Sequence, residues 1–267
     1  MEGLIIQKKT ILISVIAIVI IVSALSGCLG SSGTTQTSTP TATATGTPSL
    51  AAGSGDKITV TQSGNTMTIK GGVANKVVSE KFPMDADAWY MITYEYNGPE
   101  WSNFITMIST PEYIANDEAI GGLLPMLLEP GKGTIIKEKG VYKSTDYQLL
   151  ADTCGGPWTV TIVKNPAPAA SGQASFSHKA ADSTNSISPY FHLNKGSATF
   201  TVNQQLPGQY SVAADVQLYN ADTGEWAADI THNDNTATIT RTVDIEADGN
   251  YIMGVTCGGD WQISFTQ

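Results

Sequence analysis

From Ile58 onward, apolar and polar residues alternate in short runs broken by Gly, Asn, Asp and Pro, the period-two pattern of strands with one buried face rather than the 3.6-residue period of helices. The first half of this region offers Ile58 to Thr61, Met67 to Ile69, Val77 to Phe82, Ala88 to Tyr96, Phe104 to Ile108, Thr134 to Lys137, Tyr147 to Asp152 and Thr159 to Val163 as strands. The second half offers Ala174 to His178, Ile187 to Leu193, Ala198 to Asn203, Tyr210 to Tyr219, Ala227 to Thr231, Ala237 to Ile245, Tyr251 to Val255 and Gln262 to Thr266. Between Glu118 and Leu128 the alternation fails, and Gly-Gly and Pro125 interrupt an apolar run, which predicts a short helix or loop insert. Seven or eight short strands per half predict an all-β chain of two tandem jelly-roll-like β-sandwiches, over residues 57–165 and 172–267.

The two halves share a motif. Thr153-Cys154-Gly155-Gly156-Pro157-Trp158 and Thr256-Cys257-Gly258-Gly259-Asp260-Trp261 each precede an alternating strand and follow a Tyr-led one, so the chain carries an internal duplication. The Tyr-led strand is one residue longer in the first copy, which predicts a bulge or longer turn there. Further upstream, Asn103 to Ile108 aligns with Gln209 to Ala214 at nearly equal distance from the shared cysteine. A competing alignment pairs Tyr96-Asn97 and Glu100-Trp101 with Tyr219-Asn220 and Glu225-Trp226 but needs a long insertion, so the first is preferred.

The N-terminus follows another rule. Lys8 and Lys9 precede an apolar run from Ile11 to Leu25, the layout of an export signal, and a segment of about 15 residues is short for a stable span. The run ends in Leu25-Ser26-Gly27-Cys28, which resembles a lipobox. That resemblance implies a signal peptide over residues 1–27, cleavage before Cys28, a lipid on its sulfur, and attachment to the outer face of the cytoplasmic membrane. An uncleaved signal anchor is the other reading, and it too puts the remainder outside. Residues 28–56 are rich in Ser and Thr with Pro40 and Pro48, a composition that cannot bury enough apolar surface to order itself and suits a linker, open to O-glycosylation.

The order of a Phe-bearing strand, an aromatic strand, a Phe- or Tyr-led strand, a Gly-Tyr strand and a closing Gly-X-Trp strand, over most of Ile58 to Gln267, resembles repeated β-sandwich modules of methanogen and other archaeal surface lipoproteins. It is similar, more distantly, to pre-peptidase C-terminal domains. The resemblance implies a non-catalytic surface module.

Charge and chemistry narrow this further. The formal net charge is −10, and the basic residues form no run outside the N-terminus, so nucleic acid is not an expected partner. No Gly-X-Ser-X-Gly elbow, His-Glu-X-X-His or phosphate loop occurs, no catalytic residue is assigned, and neither a metal nor a cofactor is implied. Asp85 with Asp87, and His232 to Asn235 with Asp229, carry oxygen ligands without the spacing of a calcium loop, and turn chemistry explains them more simply.

With Cys28 assigned to lipid, Cys154 and Cys257 occupy equivalent turns. Packing about a pseudo-two-fold axis would let them form a disulfide, and two independent small apolar residues are the alternative. Trp158 and Trp261 begin alternating strands and are expected in the cores. Trp101 and Trp226 each follow Glu beside a polar turn. Edge packing is the simpler reading, and stacking on a sugar face is the functional one. The sequence thus predicts a lipid-anchored binding or structural module of the cell envelope whose partner is a glycan or another surface protein. A surface hydrolase with an unrecognised site and an accessory subunit of a surface complex are the competing classes.

Overall fold

A computed structural model describes residues 54–116, 122–167, 174–179, 184–205 and 213–267; the expected export signal, the expected lipidation site Cys28 and most of the expected linker lie outside them. The first repeat contributes β1 (Ser54–Gly55), β2 (Thr59–Ser63), β3 (Thr66–Gly71), β4 (Ala74–Val78), β5 (Phe82–Met84), β6 (Tyr90–Tyr96), β7 (Phe104–Ser109), helix α1 (Pro111–Ala115), β8 (Gly122–Leu123), β9 (Gly131–Lys137), β10 (Thr145–Cys154) and β11 (Trp158–Lys164). The second contributes β12 (Ser175–His178), β13 (Asn185–Ile187), β14 (Phe191–Leu193), β15 (Gly196–Gln205), β16 (Asp215–Asn220), β17 (Trp226–Thr231), β18 (Thr238–Ile245), β19 (Gly249–Thr256) and β20 (Asp260–Thr266).

The chain is all-β, two antiparallel sandwiches in tandem. In the first, sheet I runs β1-β4-β10-β7-β8 with β5 also on β10, and sheet II runs β2-β3-β11-β6-β9. In the second, sheet III runs β13-β19-β16-β17 with β14 also on β19, and sheet IV runs β12-β20-β15-β18. Matched through the Cys-Gly-Gly turns, these orders superpose except for the edge strands β1 and β2, which the second repeat lacks among the described residues: sheet III is the counterpart of sheet I, and sheet IV of sheet II.

The registers refine the duplication. Cys154 lies opposite Phe104, whereas Thr256 lies opposite Asp215, so Phe104 corresponds to Ala214. The preferred sequence alignment is therefore slipped by several residues. The competing one fails as well, because Trp101 precedes β7 whereas Trp226 follows β16, the counterpart of β7. The extra residue of the first copy is Asp152, where the β10–β7 register shifts.

Two expected strands are each broken in two, at Ser79 and at Ser188. Both serines are buried, and each exchanges bonds with the central strand of its sheet. Ser79 N–H donates to the Leu149 carbonyl and Leu149 N–H to Ser79 Oγ, both at 2.9 Å; Ser188 and Met253 repeat the pair at the same distances. The hydroxyl stands in for a backbone carbonyl where the strand turns away, which keeps a buried amide satisfied.

Trp158 and Trp261 lie in separate cores, the first with Tyr94, Tyr96 and Phe104 and the second with Phe200, Met253 and Ile263. The expected Cys154–Cys257 bond is corrected here: both thiols are free and buried, Cys154 in the first core and Cys257 in the second. The reason is the way the repeats stack. A third cluster, Trp89, Ile136, Tyr219, Ala221 and Ile252, joins the outer face of sheet II to the outer face of sheet III. A two-fold axis would bring equivalent sheets together, but here sheet II meets the counterpart of sheet I, a head-to-tail contact. The two turns then sit on sheets two layers apart, about 20 Å at ordinary sheet spacing, beyond the ~7 Å Cα limit of a disulfide.

The insert also differs from expectation. Its helix is α1, upstream of Glu118; residues 117–121 lie outside the described residues, and Gly122–Leu123 pairs with β7 as a short strand. The helix packs across β10, where Ile114 and the outward-facing Leu150 are both buried. Gly254 is the register counterpart of Leu150, and the seam uses its missing side chain, since Ile136 lies 3.7 Å from where a Cβ would stand.

Candidate binding trough at the seam

Strand β9 crosses the outer face of sheet III. Gly133 lies where the Tyr94 hydroxyl and the Asn185 carbonyl converge, so a side chain there would collide with both; burial pushes that Tyr94 hydroxyl up to about 12. Farther along, Ile136 rests over Gly254, and Lys139 N–H donates to the Gly224 carbonyl at 2.9 Å. Gly224 has a φ of 75°, and a Cβ on it would overlap the Trp89 side chain. On the far side of β9 the contact is apolar, through Trp89 and Ile252. On its near side a cavity of about 210 Å³ opens, lined by Thr134, Lys137, Asp215, Gln217, Tyr219 and Thr256 among others.

The sheet sets these groups in rows. Asn185, Thr256 and Asp215 are cross-strand neighbours, and Thr256 Oγ1 donates to Asn185 Oδ1 at 2.9 Å. The next row is Gly254, Gln217 and Asp229, and beyond it Ile252, Tyr219 and Trp226. The Tyr219 hydroxyl donates to Gln217 Oε1 at 2.5 Å, which orients the amide. Its own ionisation is pushed well up by burial, with Glu138, Asp215 and Asp229 adding to the effect. Asp215 is raised by burial first, against the pull of His232 at 3.7 Å and with the push of Asp229.

Trp226 stands at the outer end of this surface, 48% exposed, with its indole N–H donating to Asp229 Oδ1 at 3.3 Å. A half-exposed indole pinned by a neighbouring acid offers a fixed apolar face beside donors and acceptors. Trp101 is placed elsewhere: it tops the β6–β7 turn at 92% exposure and a φ of 62°, and no residue of that turn lines the trough. The turn is tied by contacts of Ser102 with the Tyr96 hydroxyl and the Pro99 carbonyl. A Cβ at Gly155 or Gly156 would strike Ser102 or Gly98, which gives the first Cys-Gly-Gly turn its role as the surface against which this loop closes.

Among the described residues no three His, Cys, Asp or Glu side chains converge as a metal site. Asp85 is engaged by Lys164, and Asp234 Oδ1 accepts the Thr236 N–H at 2.8 Å in a turn. Sequence reasoning missed Trp89. The adjacent pair Trp89-Tyr90 was the available signal, because alternation forces one of the two outward, and an outward tryptophan needs a cover.

No family model and no curated protein matches the chain. Among solved structures, it is similar to the N-terminal CBM22-1–CBM22-2 tandem domain of Paenibacillus barcinonensis Xyn10C, at 10% identity over 82% of this chain and 94% of that one, with a TM-score of 0.22. It is also similar to the PBSX exported protein XepA, at 8% identity over 73% and 83%, with a TM-score of 0.23. Likenesses of this size carry no functional information.

Proposed function

We propose that the chain is a non-catalytic binding module of the cell envelope, held at the outer face of the membrane by lipid on Cys28, and that it takes a glycan along the seam trough. The observation that supports this most is Trp226: a pinned, half-exposed indole opposite Tyr219 and one row from Gln217 and Asp229, beside a cavity lined in large part by polar side chains. Sugars present an apolar face and a hydroxyl rim, which such a surface matches. The export-signal layout before Cys28 and the Ser/Thr-rich composition that follows it are what support an extracellular site.

The neighbouring acids Asp215 and Asp229 favour one second reading, a surface hydrolase, because a carboxyl raised by burial beside another acid is a general-acid arrangement. One experiment separates the readings: the full chain in detergent is tested against neutral oligosaccharides for binding and for release of reducing ends. The binding reading expects affinity without turnover, weakened about tenfold by Trp226→Ala, the loss of roughly 1.4 kcal/mol, and unchanged by Trp101→Ala. Turnover abolished by Asp215→Asn would establish the hydrolase instead, and undiminished binding by Trp226→Ala would remove the trough from the account.

A further inference from the structure

The duplication makes additions to one copy conspicuous. The β9–β10 connection of the first repeat has seven residues between Lys137 and Thr145, whereas its counterpart between Ile245 and Gly249 has three. Helix α1 is likewise absent from the corresponding β16–β17 turn. Together these additions wall a cavity of about 870 Å³, between α1 and the longer connection. Nothing in the scaffold requires it, since the second sandwich closes the same corner with a short turn in which the Tyr251 hydroxyl donates to the Ala247 carbonyl at 2.8 Å. Extra loop structure on a duplicated frame is where a site is added.

The cavity's chemistry is of one kind. In a chain of net charge −10 its lining brings two cations, Lys137 and Lys143, against a single acid, Glu112. Among the described residues no ion pair holds either lysine, though the charge of Glu138, next in sequence, acts on Lys137. Lys137 is half-buried, and burial draws its ammonium below the ordinary value, so a counter-charge in the cavity would relieve it. The lining also holds Tyr142, whose buried hydroxyl has no hydrogen-bond partner. Its ring is held edge-on by Tyr90 and Tyr147 at 5.5 and 5.2 Å. Rigid aromatic walls, hydroxyls and two cations against the single acid of the lining, Glu112, form a receptor for a small anion.

We propose that this cavity binds a small ligand through an oxyanion, a carboxylate or a phosphate, met by the ammonium groups of Lys137 and Lys143. The cavity's lining belongs wholly to the first repeat; Lys137 also borders the seam trough, so Lys143, which does not, is the residue that separates this site from the glycan reading of the seam. The test is calorimetric titration of the full chain at low ionic strength with glucuronate, galacturonate, inorganic phosphate and, as the neutral control, galactose. At least one of the three anions binds, each of Lys137→Gln and Lys143→Gln weakens it at least fivefold, and the double variant loses it. Lys132→Gln, which removes a cation outside the cavity lining, leaves it unchanged. Uronate binding without phosphate binding identifies an acidic sugar as the source of the oxyanion, and the reverse identifies a phosphoryl group. Failure of all three anions to bind, equal binding of galactose, or binding that survives in a double variant with unchanged thermal unfolding would overturn the site.

Discussion

Replacing Gly224 by Ala tests the head-to-tail seam with a single methyl group. Gly224 has a φ of 75°, where an L-residue with a Cβ costs about 1–2 kcal/mol. The new Cβ would also overlap the Cβ, Cγ and Cδ1 of Trp89, atoms near the root of a side chain that cannot swing clear without leaving its place. Trp89 is buried between the repeats, and an indole of roughly 200 Å² at about 25 cal/mol per Å² contributes up to about 5 kcal/mol, of which a partial expulsion forfeits about half. The expected loss is about 4 kcal/mol, concentrated in the coupling between sandwiches. Gly140→Ala is the control: its φ is 84°, and nothing lies within 4 Å of a Cβ there, so only the backbone cost applies. In scanning calorimetry the parent unfolds as one unit, Gly140→Ala shifts that transition by a few degrees, and Gly224→Ala separates it into two. Equal effects of the two substitutions would refute the packing argument, since only Trp89 distinguishes the sites.

Other consequences can be checked independently. Ser79→Ala and Ser188→Ala each strand a buried amide, of Leu149 and Met253 respectively, and each should cost about 1–3 kcal/mol in denaturant unfolding; a loss at one site only would break the equivalence of the repeats. Alkylation of the native protein should leave Cys154 and Cys257 unmodified and denaturation should expose both as thiols, whereas a bridged peptide in non-reducing mass spectrometry would contradict their separate cores. Burial raises the Cys154 thiol from 9.0 to about 12 and Tyr94 from 10.0 to about 12, so the folded state holds these protons more tightly than the unfolded chain does. Their stabilisation is complete below about pH 9 and is lost as the pH climbs towards 12; stability that stays flat across that window would argue against buried ionisable groups.

The cores were legible because their signal is local. Alternation in Tyr90-Met91-Ile92-Thr93-Tyr94 fixes which side chains turn inward whatever the neighbours are, and the repeated Cys-Gly-Gly-X-Trp fixes the end of one strand and the start of the next. The breaks at Ser79 and Ser188 were not legible, because a buried serine reads as any polar residue until its partner strand is known. Relations between strands were hidden for the same reason. The slipped alignment followed chain distance, which includes the β7–β10 insert, whereas register follows hydrogen bonds.

The seam shows how little sequence separates a covered face from a bare one. Met91 and Ile136 are cross-strand partners on sheet II, and their counterparts on sheet IV are Thr199 and Thr242, joined by a hydroxyl bond of 2.9 Å. The apolar pair belongs to the face that meets sheet III, and the threonine pair keeps sheet IV solvated. One substituted pair thus distinguishes the inner repeat face from the outer one. The trough depends on that choice, since it exists only where β9 lies on sheet III, and neither repeat alone contains it.

The central claim is a binding surface shared by the two repeats at their seam, and amide chemical-shift mapping of the protein during titration with a bound oligosaccharide tests it most directly. The account predicts shifts at Gln217, Asp229 and the Trp226 indole together with Thr134 of the first repeat, across the seam. Shifts confined to the Trp101 turn, or to one repeat alone, would contradict it.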